Sequence, residues 1–390
     1  MISHVAEVAF QYNEVLCFFT VKLRAILKRK GIRVVKNFFS YLISISVISG
    51  LLVACSPTQS SSSPVVIPAT TTPAAPPEEA TPQEPIHLKV SVRNFISFAP
   101  FFIARDEGYF AEQGLDVELI DFSTTVSGVP IPLLVAKDID VAGVILDTSV
   151  FNAILEGNNL KYVADRGFND PNNCATDALF VGKPALTSRA IKTTADVKGK
   201  NFGIMSPGGS PEYILETFLA QNGLTQDDIR ESLIPSPPAR VEGLKNGSID
   251  VGVLSEPWIT RAQAADAGDI LTTFADIVPN MSLGTIVFGP SILEDNPDAG
   301  VRFMAAYLKG VRQFNQGKTD RNVEIIANFT QLAPEDIKAS CWTSFRPDGS
   351  IDEKTAMAFQ KWAVEKGYAN GPLELDQFWT SKFIDAAAKR

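Results

Sequence analysis

The chain has 390 residues, 45% of them hydrophobic and 20% charged, a globular composition long enough for more than one domain. Its net charge of −9 is unevenly spread: residues 1–54 carry seven Lys/Arg against two acids, which leaves 28 basic against 42 acidic residues in the rest. So acidic a surface argues against a nucleic-acid partner, and two histidines in the whole chain, His4 and His87, leave serine triads, Cys–His dyads and His-rich metal sites without a base or ligand.

Residues 38–54, FFSYLISISVISGLLVA, are uncharged and mostly apolar, and seven cations precede them. That is the pattern of a secretory leader. Seventeen residues fall short of the ~20 that span a bilayer as a helix. Leu52-Val53-Ala54-Cys55 resembles the bacterial lipobox, in which the leader is cut before a cysteine that carries lipid, palmitate included. Residues 1–54 therefore read as a signal region whose start is too early, since a start near Val34 or Val35 would leave a compact leader. Residues 55–85 read as lipid anchor and tether. Eight Pro and ten Ser/Thr in 56–85 cannot bury a core. Thirty residues reach roughly 30 Å as a coil and ~90 Å extended.

The folded part opens with a strand, His87–Val92. A strand ending at Phe98-Ala99-Pro100 leads into a helix from Pro100 to Glu112, then Gly114-Leu115-Asp116 and another strand. Ile139-Asp140-Val141 opens a strand that leads to Asp147 and Thr148. The segment "DRGFNDPNNCATDALF" (165–180) reads as an inserted loop beside the cleft. Further on, "FGIM" runs into Ser206-Pro207-Gly208-Gly209-Ser210, a helix, and Gly223-Leu224-Thr225. Ile249-Asp250-Val251 leads to Ser255-Glu256-Pro257-Trp258. The two series echo each other about 110 residues apart, which predicts two similar α/β lobes with parallel sheets.

Ligands of open α/β sheets bind beyond the carboxyl ends of the strands. The loops expected there carry the candidate ligand contacts Phe98, Asp147, Thr148, Ser206, Gly208, Gly209, Ser210, Arg240, Glu256 and Trp258. The glycine turn reads in two ways. It is either a tight turn, with Ser210 as N-cap and Pro211 in the first helical turn, or bare backbone N–H groups cradling a polar group. Asp147 and Glu256 either complement helix dipoles or accept hydrogen bonds from a ligand. Phe98 and Trp258 either stack on a ring or pack in the core, and Phe95, Phe101 and Phe102 read as core. Arg240 is the one cation placed near these loops.

"SPGGS" lacks the Gly-Lys-Ser/Thr ending of a P-loop. "DGSIDE" (348–353) lacks the glycine of a calcium loop and reads as a turn with a Ser350/Glu353 capping box. No metal, cofactor or catalytic residue is assigned. None of Cys17, Cys55, Cys174 and Cys341 sits in a CxxC pair.

"APFFIARDEGYFAEQGLDVEL", "AKDIDVAGV", "DVKGKNFGIMSPGGS", "LKNGSIDVGVLSEPW" and "DGSIDEKTAMAFQKWAVEKG", in this order, resemble the solute-binding proteins of ABC importers for nitrate, sulfonates, taurine, thiamine-precursor pyrimidine and riboflavin. The resemblance covers residues 86–390. It implies an α/β, two-lobe periplasmic-binding-protein fold of type II, a Venus flytrap with two chain crossovers. Placed near Lys183 and Gly284, the crossovers give lobe one as 86–183 plus 285–390 and lobe two as 184–284. It also implies a monomer that serves a permease and an ATPase from outside the cytoplasmic membrane. Outside the cell Cys174 and Cys341 could pair; two buried thiols are the alternative. With acids and aromatics at the loops and one cation, the ligand reads as a heteroaromatic, riboflavin or the thiamine pyrimidine. The alternative is nitrate, taurine or an alkanesulfonate. A lipid-anchored enzyme on the same fold, or a sensor subunit, would be a different class of function.

Overall fold

Segments of four to seven residues, most of them apolar, give ten strands in a computed structural model that describes residues 84–390 apart from Thr124 and Ser127. The leader, Cys55 and nearly all of the tether lie outside the described residues. Strands β1 (Ile86–Val92), β2 (Leu115–Asp121), β3 (Val141–Ile145), β4 (Lys161–Asp165) and β10 (Gly284–Phe288) form one sheet in the order β2-β1-β3-β10-β4. Strands β5 (Asp177–Gly182), β6 (Asn201–Ile204), β7 (Arg230–Leu233), β8 (Val251–Ser255) and β9 (Gly268–Thr273) form the other, in the order β7-β6-β8-β5-β9. β1 lies parallel to β2, with Ile86 opposite Leu115 and Val92 opposite Asp121, and parallel to β3. Only β10 runs antiparallel in the first sheet and only β5 in the second.

The two orders are the same pattern, which is the 110-residue echo in three dimensions. Each sheet takes its antiparallel strand from beside a chain passage. The chain enters the second sheet over 166–176 and returns over 274–283. The sequence reading put the first passage at Lys183; it lies earlier because β5 pairs with β8 and β9. The segment 165–180 is thus a passage followed by a strand, not a loop inserted in one lobe.

The two passages run side by side. Leu283 N donates to Gly167 O at 3.0 Å, Asn169 N to Met281 O at 2.9 Å and Asn280 N to Asn169 O at 2.7 Å. Arg346 pins both, with Nη1 at 3.4 Å from Asp165 Oδ1 and 3.0 Å from Ser282 Oγ, and Nη2 donating to Asn280 O at 2.7 Å. Cys174 and Cys341 are joined by a disulfide, the first of the two alternatives, which ties the first passage to the C-terminal segment.

Helix α1 (Ala99–Asp106) stops sooner than the sequence suggests because Gly108, at φ 76°, breaks it from a short turn at Tyr109–Glu112. It packs on the long α7 (Pro297–Phe314), where the Phe101 ring lies 5.0 Å from Tyr307 and 6.2 Å from Phe303. Burial of each such ring contributes about 1.5–3 kcal/mol. Between them come α2 (Pro130–Val135), α3 (Thr148–Leu155), α4 (Ser210–Gln221), α5 (Pro237–Asn246) and α6 (Trp258–Ala264); α8 (Glu353–Glu365) follows. The N-cap of α8 is Asp352, which accepts from Thr355 N at 2.7 Å, rather than the expected Ser350; Ser350 instead folds back on Asp348.

Candidate functional site

All parallel strands of each sheet end at one edge, and the antiparallel strands begin there. Side chains just past β1, β4 and β6, at the end of β3 and β8, and at the start of β5 and β10 must therefore converge. They line a cavity of about 80 Å³: Arg93, Phe95, Ser97 and Phe98 after β1; Val144 and Ile145 on β3; Arg166, Gly167 and Phe168 after β4. From the other sheet come Thr176 and Asp177, Met205, and Ser255 and Glu256, and Leu283, Gly284 and Thr343 complete the wall.

Two guanidinium groups dominate the first-sheet wall. Arg166 is 4% exposed, and its ring neighbour Phe98 lies 3.7 Å from the guanidinium carbon. Nη1 donates to Ser97 O at 3.1 Å and Ser97 Oγ at 2.8 Å, and Nη2 to Val144 O at 3.3 Å. Its Nε is buried and makes no hydrogen bond among the described residues; nor does the buried Nη2 of Arg93. Burial lowers both pKa values, that of Arg166 to about 10, against the opposing charges of Asp121 and Asp147 on Arg93. A buried cation with an unmade hydrogen bond is costly, and an acceptor entering the cavity would offset that cost, an anionic one most strongly.

The second-sheet wall carries carboxyls. Glu256 is pushed up by burial, yet its oxygens are committed: Oε1 accepts from Thr260 Oγ1 at 2.8 Å and Cys341 N at 3.0 Å, and Oε2 from Thr260 N at 3.1 Å. Asp177 is half-buried and also pushed up by burial, with Ser255 Oγ donating to Oδ1 at 2.5 Å.

Of the ten residues expected from sequence, Phe98 and Glu256 line this cavity. Asp147 caps α3, accepting from Ser149 N at 2.9 Å, and Thr148 follows it in the helix. Ser206 is buried but does not line the cavity. The glycine turn meets the other sheet. Thr148 N donates to Gly208 O at 3.0 Å and Ser210 N to Leu146 O at 2.8 Å, and Asp147 bridges Gly209. A Cβ on Gly208 would sit 2.6 Å from Thr148 Oγ1, and one on Gly209 2.6 Å from Ile145 Cδ1. Ser210 is the first residue of α4 rather than its cap; Gly209 is the N-cap.

Arg240 and Trp258 also lie off the cavity. Arg240 is 2% exposed at α5, with Nη1 donating to Ile234 O at 2.5 Å and Pro235 O at 3.1 Å. Trp258 starts α6 and packs on Ile259 and Leu254's cluster, beside Arg261. Phe95, expected in the core, lines the cavity, while Phe101 and Phe102 are buried. The missed residues Arg93 and Arg166 had a signal: each is the first residue after a parallel strand, in "VSVR" and "VADR".

Residues 81–328 match the NMT1-like family. The chain is 22% identical over 306 residues to the nitrate/nitrite binding protein NrtA of Nostoc sp., covering 72% of this chain and 66% of that protein. It is 25% identical over 270 residues to the riboflavin-binding protein RibY of Chloroflexus aurantiacus, covering 67% of this chain and 70% of that protein. The crystal structure of the periplasmic nitrate-binding protein NrtA from Synechocystis matches with a TM-score of 0.65 at 16% identity, over 78% of this chain and 89% of that one. At such identity the likeness speaks for the fold, the two-lobed α/β fold of periplasmic binding proteins.

Proposed function

Because the chain belongs to the NMT1-like family, we propose that it is the solute-binding component of an ABC importer and that its solute is a small oxyanion held by Arg93 and Arg166. The observation that carries this reading is the pair of guanidinium groups on the wall of the cavity, Arg166 buried and Arg93 half-buried, each with one buried nitrogen unbonded among the described residues. Arg is the side chain best matched to planar oxyanions, through its fixed fork of donors.

The cavity's size supports the same class. A water needs ~10–15 Å³ of such space, so about 80 Å³ takes roughly half a dozen water-sized groups. Nitrate or a short sulfonate fits that space. Riboflavin, with its three fused rings and ribityl chain, would need the cavity to widen. The sequence-based preference for a heteroaromatic rested on acids and aromatics at the loops with Arg240 as the one nearby cation; Arg240 lies off the cavity, with Nη1 bonded to Ile234 O and Pro235 O and its buried Nε unbonded among the described residues. The protein would work as a monomer, lipid-anchored through Cys55 outside the cytoplasmic membrane and handing solute to a permease and its ATPase.

Calorimetry of the full chain in detergent, titrated with nitrate, taurine, an alkanesulfonate, riboflavin and the thiamine pyrimidine, tests the reading. Tight binding of a small oxyanion alone supports it. Tight binding of riboflavin or the pyrimidine, with none of the anions bound, overturns it.

A further inference from the structure

The cavity has an anion-binding wall and an opposite one. A site for a bare oxyanion needs only donors, yet this cavity also presents Asp177, on the first residue of β5. Glu256 beside it is saturated by the Thr260 amide and hydroxyl and the Cys341 amide, so it serves to hold that wall in place. Asp177 is different. Ser255 Oγ and the Thr176 hydroxyl donate to it, and part of its surface stays open where it lines the cavity. Its charge acts on Arg166 across the same space.

An oxyanion that can only accept hydrogen bonds gains from Arg93 and Arg166 but meets repulsion at Asp177. An oxyanion that also carries an O–H or N–H turns the same carboxylate into an acceptor. We infer that the solute is a small oxyanion bearing its own hydrogen-bond donor, and that Asp177 is the residue that selects it. This rests on the oxyanion reading given above. It adds an element that works against competitors as well as for the solute, which is how discrimination between near-isosteres is achieved. Sites that demand a donor reject analogues lacking it strongly, by up to about 10⁴-fold or more.

Two pairs of probes of similar size, the second pair also matched in its sulfonate end, read the effect by calorimetry on the full chain. Hydrogencarbonate carries a donor and nitrate does not; 2-aminoethanesulfonate carries one and ethanesulfonate does not. In at least one pair, the donor-bearing member should bind at least ~10-fold tighter. Asp177→Asn should cut that ratio to near one while Arg93→Gln weakens both members together. Equal or tighter binding of nitrate and ethanesulfonate than of their partners overturns the inference and leaves the oxyanion reading standing. An unchanged ratio in a folded Asp177→Asn protein overturns it too. If none of the four probes binds, the oxyanion reading fails and the inference falls with it. Should Asp177→Asn not fold, the ratios in the unmodified protein still decide.

Discussion

Asp165 shows how a single buried group sets a pH dependence where the two passages meet. It closes β4 and is buried where the two passages meet, and burial raises its pKa to about 6 despite Arg346, Ser282 and the Gly167 amide. In the unfolded chain the group titrates near ~4. Between these values the folded state holds more protons than the unfolded one, so Asp165 makes stability fall as pH rises from about 4 to about 6, with no further change above. The unfolding free energy of the native protein minus that of Asp165→Asn should therefore be smaller at pH 7 than at pH 4, read by urea denaturation at each pH. A difference that grows with pH contradicts the assignment. The same scale shows what a sequence conceals. Phe98 and Glu256 were legible because they stand in loops at strand ends. Arg93 and Arg166 stand at the same edge, but one letter after a strand looks like any surface cation until the strands' shared direction is known. Asp177 was hidden for a stronger reason, since it begins a strand that reaches the edge from the opposite direction.

At the scale of elements, α4 is the piece that joins the two sheets' sides. Its glycine turn bonds backbone to backbone with Leu146–Thr148, and its outer face meets α8 and the turn beyond. Trp362 Nε1 donates to Glu216 Oε2 at 3.0 Å, Lys366 Nζ lies 2.8 Å from Glu216 Oε1, and Tyr368 OH donates to Glu212 Oε1 at 2.8 Å. Glu212 Oε2 also takes Gly208 N at 2.5 Å, which couples the turn to this contact. The turn is thus a contact between the two sheets' sides, where a Cβ on either glycine would press on the side chain of Thr148 or Ile145. Gly209 is the cleaner test because its φ of −110° suits any residue, whereas Gly208 at 78° does not. Gly209→Val should open the lobes, lower solute affinity by about 10-fold and leave the melting temperature nearly unchanged. Unaltered affinity would make the turn irrelevant to closure. Tyr368→Phe, which keeps the ring and removes one bond to Glu212, should act in the same direction and more weakly. The sequence made the strand–turn–helix readable, but a backbone partner 60 residues away leaves no local trace.

Residues 84–390 form two copies of one sheet pattern joined by paired passages. The repeat offset and the alternation of strands and helices made that architecture legible. The position of the first passage was not, because an antiparallel strand taken from a neighbouring stretch has no distinctive composition. The proposed lipid anchor at Cys55 belongs to this scale as well. Cys55→Ser should move the protein from the membrane fraction to the soluble one; continued retention would point to residues 38–54 as the anchor. The central claim is that the solute sits between the sheets against Arg93 and Arg166. The most direct measurement is calorimetry of the tightest-binding small oxyanion against Arg93→Gln, with Arg240→Gln as the matched control that removes a buried cation elsewhere. Arg93→Gln should weaken binding by at least ~10-fold, the loss of a charge-assisted hydrogen bond, while folded Arg240→Gln keeps the native affinity. Native affinity in Arg93→Gln, or equal losses in both variants, would contradict the account.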